Sequence, residues 1–88
     1  MELENILAEM EGIADVAVLG VADEVAGELP MALVVRRPGA QLTEEDVIAF
    51  LRPQVAAFKQ LAAGVKFVDS IPKSAAGKIL RRQLRDLL

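Results

Sequence analysis

Eighty-eight residues suffice for one small domain with a single core and leave no room for a second. The chain is 53% hydrophobic yet almost wholly aliphatic, with three Phe and no Trp or Tyr, so aromatic stacking on nucleic-acid bases is poorly supplied. The absence of Cys and His excludes a disulfide framework, a thiolate metal site and the commonest proton shuttle. Any chemistry therefore rests on Lys, Arg, carboxylates, hydroxyls or backbone amides, and the net charge of −3 conceals a strong asymmetry along the chain.

The opening segment sets Leu3, Ile6, Leu7 and Met10 at i, i+3, i+4 and i+7, which predicts one apolar stripe of a helix ending at Gly12. No capping residue precedes Glu2, and the expectation is that the chain starts inside a longer natural protein. "ADVAVLGV" reads as a strand, followed by a polar turn through Asp23, Glu24 and Gly27. "LPMALVVRR" is a second strand, closed by a Pro38-Gly39 turn in which Pro presets φ and Gly accepts positive φ.

Thr43 then caps a helix: Asp46 stands three residues on, Leu42 and Val47 stand at staple spacing, and the acids of "TEED" suit the positive end of the dipole. Val47, Ile48, Leu51 and Val55 supply its buried face, and Pro53 is expected to bend or restart it. After Gly64, "VKFVDSIP" is a third strand with Val65 and Phe67 on one face and Lys66 and Val68 on the other. The loop "PKSAAGK" leads into a closing helix, with Leu80, Leu84, Leu87 and Leu88 on one side and Arg81, Arg82 and Arg85 on the other. The order α, β, β, α, β, loop, α predicts an α+β fold, a small sheet of about three strands covered by helices, in one domain over residues 1–88.

Residues 1–28 hold eight acids and no base, whereas residues 73–88 hold Lys73, Lys78, Arg81, Arg82 and Arg85 against Asp86 alone, a net of +4. Such a tail fits a nucleic-acid contact, a partner contact, an anion site or simply a solvated helix face. Within it, "KSAAGKILRR" sets a glycine and a mobile ammonium, Lys78, at the expected start of a helix, which suits a phosphate or carboxylate. The plainer reading makes Gly77 a chain turn and Lys78 an exposed first-turn residue, although a lysine there opposes the helix dipole. The phosphate-cradling P-loop is excluded, because Pro72 stands where its first glycine belongs and Ile79 where its hydroxyl belongs.

"VDSIPKSAAGKILRRQLRDLL" resembles the last core motif of the adenylate-forming enzymes, the superfamily of acyl-CoA synthetases, 4-coumarate-CoA ligases, beetle luciferases and peptide-synthetase adenylation domains. "ELENIL", "IADVAVLGVADEVAGELPMALVV" and "LTEEDVIAFLRPQVAAFKQL" extend the likeness, in order, over almost all of residues 2–88, on the pattern of that family's small C-terminal domain. The resemblance implies a mobile lid that serves acyl-adenylate formation from Mg-ATP and a carboxylic acid, then transfer to CoA or luciferase-type oxidation. It places Lys78 on the family's catalytic lysine and implies Gly77 and Ser74 as the cofactor-binding residues, Gly77 by keeping the loop lean enough to enter the cleft of the large domain and Ser74 either as a phosphate contact or as a loop residue only, with no metal ligand on this chain. Ala76 stands where relatives usually carry Ser or Thr, so no hydroxyl is offered from that position. Glu28 matches the family's "GE" turn, in a structural or domain-contact role rather than a direct ligand role, and Phe58-Lys59 an aromatic-lysine pair whose lysine is at the surface or else meets the large domain or the CoA phosphates.

ATP, Mg2+ and CoA are thus implied for a full-length enzyme and none is expected on this chain alone, which would lack turnover without its partner, a large N-terminal adenylation domain. A cytoplasmic or peroxisomal location, no nucleic-acid partner and no membrane span complete the expectation, the acidic start and the lack of any ~20-residue apolar run arguing against a leader or a spanning helix. The competing reading is a stand-alone binding or regulatory module that uses the basic C-terminal helix.

Overall fold

The stretches "VAVLGV" and "LPMALVV" are apolar almost without interruption, so both faces of the sheet they form must be covered, and a computed structural model, describing residues 2–25, 27–54, 61 and 63–88, shows how. Helix α1 (Glu2–Ala8) leads through a turn to Gly12, at φ +95°, and into strand β1 (Ile13–Asp23). Strand β2 (Gly27–Arg36) returns antiparallel to it, pairing from Asp23 with Gly27 to Ile13 with Arg36. The Ala40 N–H closes the following turn on the Arg37 carbonyl at 3.0 Å, and Gly39 at φ +82° occupies the position that a type II turn reserves for glycine.

Helix α2 (Glu44–Leu51) starts on a reciprocal capping box. The Asp46 N–H donates to Thr43 Oγ1 at 3.2 Å and the Thr43 N–H donates to Asp46 Oδ2 at 3.0 Å. Leu42 and Val47 bury together in one cluster, as their staple spacing predicts. Thr43→Ala is expected to cost about 1 kcal/mol in urea unfolding, since the Asp46 N–H at the helix start loses its side-chain acceptor. The α-helix stops at Leu51, and Arg52–Gln54 form a single 3-10 turn around Pro53, whose ring cannot continue the helix. Val55 and the Phe58-Lys59 pair lie outside the described residues.

Strand β3 (Gly64–Phe67) lies parallel to β2, from Met31 with Gly64 to Val34 with Phe67, so β2 is central in the order β1-β2-β3. Pro30, inside the central strand, sits one residue before this pairing begins; its missing N–H breaks no ladder bond, and its carbonyl accepts from the Ala63 N–H. Gly64 takes φ +94°, and a Cβ there would stand 2.7 Å from Glu44 Oε2, the atom that accepts the Val65 N–H. Gly64→Ala is therefore expected to cost at least about 1–2 kcal/mol from backbone conformation alone, read as a lower urea midpoint.

The two faces carry separate cores. Val16, Val18, Ala32 and Val34 pack with Leu3 and Leu7 of α1 and Val47 and Leu51 of α2. On the opposite face Ala17, Leu19 and Leu33 pack with Ile71 and Leu84 from the C-terminal segment, flanked by Val68, Ile79 and Leu87. Val65 and Phe67 join the first core and Val68 the second, as the alternation predicts. Among the described residues no helix is long and apolar enough to cross a membrane.

Candidate functional site: an anchored hairpin carrying Lys78

The segment between β3 and the last helix folds on itself. Lys73 and Ile79 bridge antiparallel, the Ser74 N–H donates to the Lys78 carbonyl at 2.8 Å, and the Leu80 N–H donates to the Pro72 carbonyl at 2.9 Å. The Gly77 N–H closes the tip on the Ser74 carbonyl at 2.9 Å, with Gly77 at φ +83°. A Cβ on Gly77 would meet open space, so the backbone conformation, rather than crowding within this chain, calls for glycine there.

This hairpin corrects one expectation. Helix α3 (Arg81–Arg85) begins three residues after Lys78, has no side-chain cap and is only five residues long, so Lys78 is not at a helix N-terminus. The leucine spacing that extended a helix back to Leu80 is overridden by backbone pairing to Pro72. Leu88, read as part of the apolar face, is 48% exposed, because α3 ends before it.

Ile79 packs into the second core, so its neighbour Lys78 points away from it by strand alternation. Lys78 is exposed, and among the described residues nothing lies within hydrogen-bond or ion-pair distance of its ammonium. Ser74 Oγ accepts the Lys78 N–H at 3.3 Å, which ties the two hairpin arms together. The three residues singled out in the sequence, Ser74, Gly77 and Lys78, thus share one tight turn. What they offer is a mobile positive charge on a narrow projection bordered by Ala75 and Ala76, a shape able to enter a cleft and meet an anion. Among the described residues there is no cluster of three carboxylates suited to a metal ion.

Most of the remaining basic charge is spent inside the domain. Arg81 Nη1 donates to the Val18 carbonyl at 2.7 Å and Nη2 reaches Glu4 Oε1 at 3.4 Å. Arg85 Nη1 donates to the Gly20 carbonyl at 3.0 Å, with Nη2 lying 3.8 Å from Glu28 Oε2. Glu4 Oε2 accepts the Val18 N–H at 2.7 Å. These contacts cover the outer edge of β1, a strand that would otherwise present unpaired backbone groups. Lys73 Nζ pairs with Asp15 Oδ2 at 2.7 Å, and Lys66 Nζ donates to the Leu87 carbonyl. The charge asymmetry of the sequence therefore has an internal use, with the acidic N-terminal part and the basic tail meeting along β1. Glu4 and Asp15 were not singled out in the sequence, and their one signal there was membership of that acidic block. The reading of the tail as a free basic helix for an outside partner is not favoured, since two of its three arginines are occupied.

The chain compares closely with known proteins over nearly its whole length. The family model of the AMP-binding enzyme C-terminal domain matches residues 2–78, a stretch that includes Lys78. The 4-coumarate-CoA ligase-like 5 protein of Oryza sativa subsp. japonica is 55% identical over 83 residues, 94% of this chain and 15% of that protein. Luciferin 4-monooxygenase of Nipponoluciola cruciata is 46% identical over 87 residues, 99% of this chain and 16% of that protein. Among solved structures, ATP-bound MatB from Rhodopseudomonas palustris has a TM-score of 0.89 at 36% identity, with 98% of this chain and 17% of that chain covered. The chain thus spans less than a fifth of the length of these relatives. On the family match and these relatives together, it belongs to the C-terminal domain family of the AMP-binding, adenylate-forming enzymes.

Proposed function

We propose that this chain is the mobile lid of an ATP-dependent carboxylic acid-activating ligase, and that Lys78 is its catalytic lysine. The observation that carries this reading is the exposed, unpartnered ammonium of Lys78 on a narrow hairpin, within the part of the chain that matches the family. In the proposed reaction a substrate carboxylate attacks the α-phosphorus of ATP, the bond to the pyrophosphate leaving group breaks, and an acyl-adenylate forms. Lys78 would lie between the two anions that must approach each other, offsetting charge that builds up as the new bond forms. No proton transfer is asked of it, which agrees with a chain that has no His.

The large domain would supply the nucleotide and acyl pockets. Gly77 keeps the hairpin tip narrow, and the Ser74 hydroxyl, whose oxygen already accepts the Lys78 N–H, retains its proton for a phosphate oxygen. The second half-reaction, transfer of the acyl group to the CoA thiol with release of AMP, or luciferase-type oxidation, follows after the lid moves. Alone, this chain would carry no turnover. The test is pyrophosphate release by the enzyme that carries this domain, wild type against Lys78→Ala.

A further inference from the structure

The hairpin that presents Lys78 is free at its tip and fastened at its base, and both fastenings end on the same strand. On the first arm the Lys73 ammonium pairs with Asp15 of β1 at 2.7 Å. Just past the second arm, the Arg81 guanidinium donates to the Val18 carbonyl of β1 at 2.7 Å and reaches Glu4 of α1 at 3.4 Å. Between them the backbone bridge at Lys73 and Ile79 and the Leu80 to Pro72 bond make the base rigid, while buried Ile71 and Leu84 hold either side of it to the sheet. Lys78 stands one residue before the bridge partner Ile79 and three before Arg81. Its backbone direction is therefore set by these contacts, whereas its own side chain has no partner to steer it.

From this we infer that Lys73 and Arg81 are positioning residues for Lys78: their contacts to Asp15, Val18 and Glu4 aim the hairpin, and with it the ammonium, in the closed enzyme. The inference rests on the proposed role of Lys78. A charge that acts by preorganisation loses its effect when misplaced by a fraction of its reach, so the anchors bear on rate rather than on substrate affinity. Neither anchor is proposed to touch substrate.

The test uses the enzyme that carries this domain, with two assays: pyrophosphate release from ATP and acid, and acyl transfer to CoA starting from supplied acyl-adenylate. The double variant Lys73→Ala with Arg81→Ala is expected to lower kcat for pyrophosphate release by about ten- to a hundredfold, with KM for ATP and acid unchanged. Acyl transfer should be unaffected, and Lys73→Arg, which keeps the pair with Asp15, should retain the adenylation rate of the wild type. Equal losses in both assays would show a structural role and overturn the inference. A silent double variant beside a strongly impaired Lys78→Ala would overturn it while leaving the proposed function standing; a silent Lys78→Ala would remove both. If Arg81→Ala does not fold, Lys73→Ala against Lys73→Arg decides the matter at a half-exposed pair, where the fold is least at risk.

Discussion

Replacing Lys78 by alanine in the enzyme that carries this domain is expected to lower acyl-adenylate formation by about 10²–10³-fold, the range found when one preorganised donor to developing charge is removed. The fold should not notice. Lys78 is exposed and without an intramolecular partner, and surface substitutions of that kind stay within about 0.5 kcal/mol of wild type. Acyl transfer to CoA from supplied acyl-adenylate should continue, because the lysine is proposed to act only while two anions are being joined. Lys78→Arg should recover part of the rate at most, since a planar guanidinium cannot place its charge and donors as a compact ammonium does. Single-turnover pyrophosphate release beside a thermal melt reads both halves of the expectation. Unchanged adenylation by Lys78→Ala would refute the catalytic assignment.

Leu84→Ala should act in the opposite way, on the fold first. Leu84 is fully buried in the second core with Ala17, Leu19, Leu33 and Ile71, and it is the buried residue of α3. Truncating a leucine at such a site costs about 2–5 kcal/mol. Five residues without a side-chain cap cannot hold a helix by propensity, so α3 depends on this packing. Its loss would also release Arg81 and Arg85 from the carbonyls of β1 and uncover that strand's edge. A drop in Tm of about 10 °C or more, with increased self-association, is the expected result, followed by circular dichroism and sedimentation. Leu88→Ala, four residues on and half-exposed, should leave Tm nearly unchanged. A small effect of Leu84→Ala would mean that the C-terminal segment is held chiefly by its hydrogen bonds and ion pairs.

Much of the architecture was legible in local patterns, because the rules involved act over a few residues. The stripe of Leu3 and Leu7, the Thr43 to Asp46 box, the Pro38-Gly39 turn and the strand through "ADVAVLGV" are each found in the structure. Lys78, Gly77 and Ser74 were likewise visible as a group, through a glycine before a lone ammonium and through the family resemblance. Less visible was the course of the chain around them. Leucines at 80, 84, 87 and 88 satisfy a helical period, but they say nothing of the competing bond from Leu80 to Pro72 that keeps residue 80 in a hairpin. The parallel pairing of β2 with β3 was equally silent, since hydrophobic alternation specifies faces and not neighbours.

By itself, then, the sequence determined the order of helices and strands, the apolar stripes of α1 and α2, the family and the lysine most worth testing, all of which depend on side-chain identity at short spacing. Tertiary structure alone decided where the charge goes. The acceptors for Arg81 and Arg85 are main-chain carbonyls of Val18 and Gly20, more than sixty residues away, and a carbonyl has the same chemistry in every residue. No letter of the sequence marks which carbonyls will be left at a sheet edge. That is settled only when β1 takes the outer place in the sheet, and it turns a basic tail that resembled an exposed binding surface into the anchor of the hairpin bearing Lys78.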